Sequence, residues 1–374
     1  MTNKEEKDEV IFYSYDKILS KNCKYNVIFG ERSNGKTYGA LKIALTDYEA
    51  TGHQTGLIRR FFEDFRGKRG QSMCDAIVAD GLVDQITKGK WTGIKYYSSR
   101  WYLTKTNIEG KLIMDEKPFM YGFSLNDMEH DKSSSYPMIK NIIFDEFITR
   151  GYYLTDEFVI FMNVLSTIIR QRENVRIFML GNTVNKYCPY FKEMGLKHIS
   201  QMKPGDIDVY TYNNPNLRVA VEYATMGKNS KEKKSNSYFA FDNPKLQMIT
   251  GGTWELEIYP HLPYKYIPND IIMTYFIKFD EHTLQCEIIN VENCVFTFIH
   301  EKTTPIKDED NDIIFSPTHD PRPNWYRNIR RPRGKLDKRI SSFFSSEKVF
   351  YQDNEIGEVV RNYLLWCGTA SLVN

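Results

Sequence analysis

Residues 30–37 read G-E-R-S-N-G-K-T, which is the spacing of a phosphate-binding loop. In such a loop the glycines let backbone N–H groups turn toward a β-phosphate, the lysine reaches the β- and γ-phosphate oxygens, and the threonine hydroxyl is a ligand of Mg²⁺. The sequence therefore predicts a nucleoside triphosphate bound together with Mg²⁺. The residues predicted to bind this cofactor in or beside the loop are Gly30, Ser33, Asn34, Gly35, Lys36, Thr37 and Tyr38.

A second candidate group lies roughly a hundred residues further along the chain, where an apolar run ends in Asp145 and Glu146. Asp145 is predicted to hold the water shell of Mg²⁺, and Glu146 to polarise the water that attacks the γ-phosphate. Two carboxylates after a strand are common on their own. Combined with the phosphate loop, they indicate an NTPase of the additional-strand class, in which the catalytic glutamate adjoins the metal-binding aspartate.

Two further polar residues follow predicted secondary structure. The run 175–180 predicts a buried strand, and ligands lie at the carboxyl ends of parallel strands, so Asn182 is expected beside the phosphates. A turn or capping asparagine is the alternative. Arg170 ends a predicted helix over 156–170 that Thr155 would cap. Its side chain either reaches the phosphate of another subunit or complements the negative end of its own helix.

The elements around the loop have the order that a phosphate site requires. An apolar strand over 27–29 precedes the loop, and a pattern with helical spacing follows it. Tyr13 and Tyr15 come just before this strand, close to where a nucleotide base would lie. Either could stack on adenine, but packing in the core is the favoured interpretation of each.

Residues 55–58 predict a second core strand, which ends in Arg59 and Arg60. These arginines are either solvated or turned toward nucleic acid or a neighbouring subunit. Aromatic and β-branched runs over 90–124 predict antiparallel strands that decorate the sheet. The fold class predicted for the first domain is therefore α/β, with a P-loop NTPase core.

The overall composition excludes several classes of protein. The chain has 374 residues and a net charge of +2, and it is long enough for two domains with separate cores. It contains no apolar stretch of about eighteen residues, so no membrane partner is expected. The charged N-terminal residues lack the apolar segment of a secretion signal, which favours the cytoplasm. The six cysteines are widely spaced without a C-x-x-C pattern, which predicts neither a disulfide framework nor a zinc site.

The pattern changes beyond the first two hundred residues. We predict a P-loop ATPase domain over 1–200, a lid or linker over 201–250, and a second, smaller α+β domain over 251–374 that is rich in strand signals. Within the last domain, the basic segment 322–339 carries Trp325 and Tyr326 among its arginines and lysines. This composition suits a nucleic-acid backbone with stacked bases, although a merely solubilising role is the alternative.

Together these motifs carry a resemblance to a known family. The chain resembles the genome-packaging ATPases, or encapsidation proteins, of small short-tailed double-stranded-DNA bacteriophages with protein-primed linear genomes. The resemblance runs over 14–191, about half of the chain, and is weak beyond residue 200. Its most specific segments are F-G-E-R-S-N-G-K-T, D-K-S-S-S-Y-P, I-I-F-D-E-F-I, I-I-R-Q-R-E-N-V-R and L-G-N-T-V-N.

The resemblance implies an ATP-driven translocase with ATP and Mg²⁺ as cofactors. Such proteins assemble as a homo-oligomeric ring, commonly a pentamer, on the portal or connector of an empty prohead, and they drive double-stranded DNA inward. In some relatives a packaging RNA takes part. The expected location is the host cytoplasm and, transiently, the portal vertex of the prohead.

The resemblance also implies roles for single residues. Lys36 and Thr37 bind phosphate and Mg²⁺, Asp145 holds the metal, and Glu146 is the catalytic base. Lys36 and Glu146 are therefore predicted to be catalytic, together with Arg170, which matches a trans-acting arginine finger. The resemblance further implies that Asn182 couples nucleotide state to the catalytic glutamate, Glu146. It also implies that Arg32 matches an arginine of the phosphate loop and that Lys132 binds DNA from a pore loop.

One departure from the family concerns Phe62, which stands where relatives carry a lysine, so a DNA contact by that lysine is not expected here. The second domain is implied to have an RNase H-like nuclease fold that has lost catalysis. Asp280 and Glu287 are its only acids in suggestive positions, and two acids are few for two-metal cleavage. The alternative function is a terminase-like ATPase with an active C-terminal nuclease. A nucleotide-dependent switch without motor activity is a third reading.

Overall fold

The computed structural model describes residues 12–127, 135–214, 216–225, 254, 257–292 and 294–369. The chain divides into two units. The first comprises Met1–Arg150 and Asp156–Glu255, and the second comprises Gly151–Thr155 and Leu256–Asn374. Of the helices in these described ranges, none has both the length and the apolar character needed to cross a membrane.

The first unit is built on a ten-stranded sheet whose order is β3-β4-β6-β2-β7-β8-β1-β10-β9, with β5 paired to β4. The strands are β1 (Tyr25–Gly30), β2 (Gln54–Arg59), β3 (Gly93–Tyr97), β4 (Arg100–Thr106), β5 (Leu112–Met114), β6 (Met120–Ser124), β7 (Ile139–Asp145), β8 (Arg176–Asn182), β9 (Ile207–Thr211) and β10 (Arg218–Ala224). The six strands from β6 to β10 along this order pair in parallel. Strands β1, β7 and β8 are nearly continuous apolar runs, as expected where a parallel sheet is covered on both faces.

The position of β8 defines the class of the fold. It lies between β1, which leads into the phosphate loop, and β7, which ends at Asp145. One strand inserted between these two is the defining feature of the additional-strand P-loop NTPases, so the predicted α/β P-loop core is confirmed.

The helices of the first unit connect and cover these strands. They are α1 (Asp16–Leu19), α2 (Lys36–Thr51), α3 (Lys68–Ser72), α4 (Asp75–Ala79), α5 (Leu82–Ile86), α6 (Glu157–Ile169) and α7 (Pro189–Glu193), with 3₁₀ turns at Phe62–Phe65 and Ile199–Gln201. Helix α6 differs slightly from its prediction. Its N-cap is Asp156 rather than Thr155, and the helix ends at Ile169, so that Arg170 is the C-cap with a φ of 52°.

The antiparallel decoration predicted over 90–124 is present. Strand β4 pairs antiparallel with β3, β5 and β6. Ser98 and Ser99 join β3 to β4, and both have positive φ, as the twist-matched two-residue hairpin turn requires.

The segment predicted as a lid or linker over 201–250 contains two strands of this sheet. Strand β10 pairs in parallel with β1 and is almost wholly buried, and β9 pairs antiparallel with β10. The apolar residues of β10 are buried by extending the sheet beyond β1, which explains why this part is not a linker. Residues 226–250 lie outside the described ranges.

The second unit has its own six-stranded sheet with the order β15-β14-β11-β12-β13-β16. Its elements are β11 (Ile271–Phe279), β12 (His282–Val291), β13 (Cys294–Glu301), β14 (Ile314–Phe315), β15 (Trp325–Tyr326), α8 (Lys335–Ser345), β16 (Val349–Tyr351) and α9 (Asn354–Thr369), with a 3₁₀ turn at Pro268–Asp270. The first three strands are antiparallel, whereas β14 and β15 run parallel to β11. The five strands β11 to β15 have the strand order of the RNase H-like fold that the resemblance implies, and β16 adds a sixth strand parallel to β13.

Candidate nucleotide site

The phosphate loop spans the turn between β1 and α2. Gly35 is the N-cap of α2 and has a φ of 87°, in the left-handed region that favours glycine. A Cβ atom at Gly35 would lie 2.6 Å from Cδ1 of the Phe12 ring, so a larger residue is excluded by space as well as by backbone conformation. The predicted order of strand, loop and helix is therefore present, with the positive end of α2 at the loop.

The Lys36 ammonium group points into this loop and is held by three oxygen acceptors. Its Nζ donates to the backbone oxygen of Glu31 at 2.7 Å, to Oδ1 of Asn34 at 3.0 Å and to Oδ1 of Asn182 at 3.1 Å. Burial lowers the pKa of Lys36 to about 8, although the Asp145 and Glu31 carboxylates oppose this shift. The structure thus brings Asn182, predicted from the end of a strand, into contact with the phosphate-loop lysine.

Asn34 offers a donor that fits a phosphate. Its side chain is 2% exposed, and its Nδ2 has no hydrogen-bond partner within the described ranges. Because an unpaired buried donor is costly, a group that accepts a hydrogen bond would stabilise it. Two further loop residues predicted to bind nucleotide, Arg32 and Ser33, are exposed, and Ser33 has a φ of 58°.

The donor set expected for Mg²⁺ lies where Thr37 meets the end of β7. The Thr37 hydroxyl donates to Oδ1 of Asp145 over 3.1 Å. Mg²⁺ binds oxygens at about 2.0–2.1 Å in octahedral geometry, so two adjacent ligands lie about 3 Å apart. The separation of these two oxygens fits one such ion, held directly or through a water.

Arg59 is the functional candidate that the sequence left ambiguous. Its Nη2 lies 2.9 Å from Oδ2 of Asp145, and its Nη1 lies 2.6 Å from Oε2 of Glu146. Burial raises the pKa of Asp145, and the Arg59 guanidinium opposes that shift. The solvated reading of Arg59 is therefore wrong, because this arginine bridges the two predicted catalytic carboxylates.

Arg60 is also buried, but it serves the fold. It makes an ion pair with Glu157 at 2.8 Å, and its Nη2 donates to the backbone oxygen of Phe147 at 2.9 Å. The same Glu157 carboxylate accepts a hydrogen bond from the Tyr190 hydroxyl at 2.8 Å. This buried network ties the end of β2 to the start of α6 and to the turn that follows Glu146.

The aromatic residues near the loop separate into buried and accessible ones. The Tyr13 hydroxyl donates to Oε2 of Glu222 at 2.6 Å, and the Tyr15 hydroxyl donates to the backbone oxygen of Lys36 at 2.5 Å. Both tyrosines are core residues, in agreement with the favoured interpretation. The accessible ring is that of Phe12, which stacks on Tyr38 with ring centroids 5.0 Å apart.

Two predicted site residues are not brought to this cluster. Arg170 is exposed at the C-terminal end of α6. The neighbouring Arg172 donates to the backbone oxygens of Pro137 and Ile139, so this helix end lies at the beginning of β7, whereas Asp145 lies at its end. Lys132, predicted to bind DNA, falls outside the described residues.

The acids considered for nuclease activity in the second unit do not converge. Glu287 pairs with Thr274 across β11 and β12, five residue positions from the turn that contains Asp280. At about 3.4 Å per residue this separates the two acids by about 17 Å along the strands, which is too far for shared metal ions. The Glu287 carboxylate instead accepts hydrogen bonds from Tyr266 at 2.7 Å and Gln285 at 2.7 Å.

The basic segment of the second unit is only partly available for nucleic acid. Arg322 makes ion pairs with Asp310 at 3.1 Å and Asp320 at 2.9 Å, and its guanidinium covers the Trp325 ring. Arg322 and Trp325 are thus engaged within the unit, against the expectation of base stacking. The exposed basic side chains of the segment are Arg327, Arg330, Arg331, Arg333, Lys335, Lys338 and Arg339.

The strand order and the cluster around the loop define a P-loop NTPase of the additional-strand class. Residues 102–211 match the family model described as Podovirus DNA encapsidation protein (Gp16). The chain is 29% identical over 189 residues to the DNA packaging protein of Bacillus phage phi29, covering 49% of this chain and 50% of that protein. It is 31% identical over 186 residues to the DNA packaging protein of Bacillus phage B103, with the same coverage. The resemblance to the phage encapsidation proteins is thereby confirmed.

Solved structures extend the likeness of the fold over both units. The Phi-28 gp11 DNA packaging motor matches with a TM-score of 0.53 and 17% identity, covering 97% of this chain and 99% of that one. The bacteriophage Phi-29 viral genome packaging motor assembly matches with a TM-score of 0.50 and 18% identity, covering 94% and 97%. At these identities the likeness concerns the fold. The chain spans about half the length of the curated relatives it matches.

Proposed function

We propose that this protein is the ATPase of a viral genome-packaging motor, which hydrolyses ATP and drives double-stranded DNA into a prohead. The observation that carries this proposal is the contact between Thr37 and Asp145, because it joins the phosphate loop to the carboxylates at the end of β7. The names of the relatives from phages phi29 and B103 support packaging as the purpose of this chemistry.

Each residue of the cluster has a task in hydrolysis. Lys36 and Asn34 bind the phosphate oxygens, and Thr37 and Asp145 hold Mg²⁺, which neutralises charge on the β- and γ-phosphates when bound. Glu146 orients a water and accepts its proton as the water oxygen bonds to the γ-phosphorus and the bridging bond to the β-phosphate breaks. The products are ADP and inorganic phosphate.

The position of Arg170 supports a role toward a second copy of the chain. Ile139 and Asp145 are the two ends of β7, so they lie about 20 Å apart at about 3.3 Å per residue. Arg170 lies near the Ile139 end, beyond the reach of its side chain to its own phosphate loop. We therefore assign Arg170 as an arginine finger that completes the site of an adjacent subunit in a homo-oligomeric ring, a pentamer by resemblance.

The second unit is assigned a docking role rather than cleavage. The separation of Asp280 from Glu287 argues against the alternative of an active nuclease. The exposed basic side chains over 327–339 suit the phosphates of a nucleic acid without reading bases. From the resemblance we propose that the protein docks on the portal or connector and that a packaging RNA takes part. We also propose that Lys132 contacts DNA in the pore and that the protein acts at the prohead portal vertex in the host cytoplasm.

Measuring phosphate release by the purified protein tests the proposed activity. We expect turnover that requires Mg²⁺ and rises when double-stranded DNA of unrelated sequences is added, since a packaging motor must accept any sequence. A nucleotide-dependent switch would bind ATP and release almost no phosphate under the same conditions. Absence of turnover with Mg²⁺, DNA and proheads all present would refute the proposal.

A mixing experiment tests the role in trans. R170A keeps an intact nucleotide pocket, and E146Q keeps an intact finger, so each variant alone is expected to be nearly inactive. Mixed assemblies contain some interfaces with a functional pocket and a functional finger, and we expect them to recover ATP turnover. If native mass measurement verifies mixed assemblies and no turnover returns, Arg170 does not act across the interface.

A further inference from the structure

Three cationic residues lie side by side where the strands β8, β1 and β10 begin. Strand β1 pairs in parallel with β8 on one side and with β10 on the other, and both ladders begin at Tyr25. The N–H of Ile177 donates to the backbone oxygen of Lys24 at 2.8 Å, so the pairing includes one earlier residue. Lys24 is therefore flanked by Arg176 of β8 and Arg218 of β10, on strands about 4.8 Å from its own.

These three side chains project from the face of the sheet that α2 covers. Residues an even number of positions apart in a strand share a face. Residues two or four positions further along the same three strands belong to the core cluster that contains Leu41 and Leu45 of α2, namely Ile28, Phe178 and Ala220. The three cations are thus on the α2 face, at the edge of the sheet where these strands begin.

An acidic partner is present for one of the three cations. Nη2 of Arg176 lies 3.2 Å from Oδ2 of Asp47, which also accepts a hydrogen bond from Asn141 at 2.6 Å. Lys24 and Arg218 form no ion pair with any residue that the structure describes. Like charges at directly neighbouring strand positions repel each other, so a lysine between two arginines lowers the stability of the protein. An arrangement that costs stability fits an anion supplied by a binding partner.

A third cation without an acidic partner lies next to Arg218. Burial raises the pKa of the Cys23 thiol, whereas Arg218 and Lys21 both oppose this rise. The two cations therefore lie close to one sulfur atom, and Lys21 is exposed and makes no ion pair in the described ranges. Lys24 and Arg218 are partly buried, as when long cationic side chains pack their apolar stems and keep their charged ends in water. We call Lys21, Lys24 and Arg218 the edge cluster.

The edge cluster is separate from the nucleotide site and from the proposed arginine finger. Gly30, where the phosphate loop begins, is six positions from Lys24 along β1, which is about 20 Å at about 3.3 Å per residue. Helix α6, which leads to the proposed finger, packs on the opposite face of the sheet, because Phe161 stacks on Phe144 whereas the adjacent Ile143 faces α2. The edge cluster therefore cannot reach the nucleotide of its own chain.

We propose that the edge cluster binds the phosphodiester backbone of a nucleic acid. Phosphates spaced along a strand neutralise several cations at once and relieve their mutual repulsion, whereas a single carboxylate such as Asp47 serves one cation. Lysine and arginine contacts to phosphates carry no sequence information, so the site would hold any sequence. This inference goes beyond the proposed ATPase function, because it places a nucleic-acid contact on the first unit and does not depend on hydrolysis.

Binding of a short fluorescein-labelled DNA duplex to the full-length protein without nucleotide, followed by fluorescence anisotropy, tests the site. K24Q/R218Q should raise Kd roughly ten- to hundredfold and should reduce the slope of log Kd against log salt by about 1.8, since each lost phosphate contact removes about 0.9. K95Q/R100Q is the matched control, because it removes one exposed lysine and one exposed arginine from β3 and β4, at the far end of the same sheet. The control should leave Kd and the slope unchanged.

An RNA duplex of the same sequence distinguishes the two sources of a phosphodiester backbone. The duplex that loses more affinity in K24Q/R218Q is the one that the edge cluster prefers, and equal losses would mean that it accepts either backbone. An unchanged Kd for both duplexes, or an equal loss in K95Q/R100Q, would overturn the proposal.

Thermal unfolding without nucleic acid gives a readout of the opposite sign. K24Q removes the repulsion from the two flanking arginines, so we expect Tm to rise by about 1–2 °C at low salt and the rise to disappear in about 1 M salt, where charges are screened. A fall in Tm would show that Lys24 serves the fold and would overturn the proposal. If K24Q/R218Q fails to fold, K24Q replaces it in the binding assay, with the slope reduced by about 0.9.

Failure of this inference is distinguishable from failure of the proposed function. Absence of ATP turnover in the wild type would refute the function and leave the binding assay intact. Normal turnover combined with unchanged nucleic-acid affinity in K24Q/R218Q would refute the edge cluster alone. Native mass measurement addresses a second copy of the chain as the occupant, because loss of assembly in K24Q/R218Q at unchanged affinity would assign the cluster to that copy and overturn the proposal.

Discussion

The two units arrange their carboxylates in different ways. In the first unit Asp145 and Glu146 sit at the end of a parallel strand, where Thr37 and Arg59 reach them from other elements. In the second unit the acids lie along an antiparallel hairpin, and the Glu287 carboxylate is engaged by its neighbours.

This difference follows from topology. Parallel strands end at one edge of a sheet, so polar residues distant in sequence meet there and form a site. An antiparallel hairpin separates residues along its length in proportion to their distance from the turn. The same residue types therefore form a candidate catalytic cluster in the first unit and a packed hydrogen-bonded group in the second.

The largest expected effect is that of replacing Arg170, which lies far from the nucleotide site of its own chain. R170A should reduce ATP turnover of the assembled protein by roughly 10³- to 10⁵-fold, because an arginine finger stabilises transition-state charge. Binding of a fluorescent ATP analogue should be unchanged. R176A is the control, since Arg176 makes a half-exposed ion pair with Asp47. Wild-type turnover by R170A in verified assemblies would show that Arg170 is not the finger.

The next largest effect on ATP turnover is expected when Glu146 of the first unit is replaced, with Asp280 of the second unit replaced for comparison. E146Q removes the base and should lower kcat by roughly 10²- to 10⁴-fold, whereas D280N should leave ATP turnover unchanged. Incubating the full-length variants with plasmid and Mn²⁺ tests the nuclease alternative in the same preparations. Cleavage by wild type that disappears in D280N would restore that alternative and contradict the geometry.

A smaller effect is expected on stability from the buried network that supports the first site. E157A leaves Arg60 buried without its carboxylate partner, which should cost about 3–5 kcal/mol in the free energy of unfolding. R176A breaks an ion pair nearer the surface and should cost no more than about 1 kcal/mol. Urea unfolding measures both. Equal costs would mean that the Arg60 pair is not a buried support.

The smallest effect is a pH dependence in the second unit. The His300 imidazole, whose Nε2 lies 3.6 Å from Oε1 of Glu287, lowers the pKa of Glu287 to about 2, together with the hydrogen bonds from Tyr266 and Gln285, and the same contact raises the pKa of His300. Stability from Glu287 is therefore present above its unfolded pKa of about 4.3 and lost as pH falls toward 2, while stability from His300 is present below about 6.5 and lost as pH rises through its folded pKa.

The pair thus contributes most between about pH 4.5 and 6.5. H300Q should lower Tm more at pH 5.5 than at pH 8.5, as measured by differential scanning calorimetry. A Tm change in H300Q that is the same at both pH values would contradict the assigned pairing.

The sequence was informative where the relevant signal is local. The phosphate loop and the Asp145-Glu146 pair are short motifs, and Asn182 follows a recognisable buried strand, so the contact of Asn182 with Lys36 agrees with its expected position. The α/β fold also follows from alternating strand and helix patterns.

The rest depends on pairing between distant segments. The contact of Arg59 with Asp145 depends on the register of β2 against β7 and joins residues 86 positions apart. No local sequence pattern indicates this contact. Strand β10 lies in the segment that the sequence predicts to be a lid or linker, and only its pairing with β1 shows that it belongs to the sheet. The separation of Asp280 from Glu287 likewise becomes visible only when the hairpin register is known.

The most direct test of the account is a packaging assay with proheads and labelled linear double-stranded DNA, scored by protection from added nuclease. We expect ATP-dependent protection with the wild-type protein and none with E146Q, even though E146Q still binds ATP. Protection by E146Q at the wild-type level, or protection by the wild type with a non-hydrolysable ATP analogue, would contradict the claim that hydrolysis at this site moves the DNA.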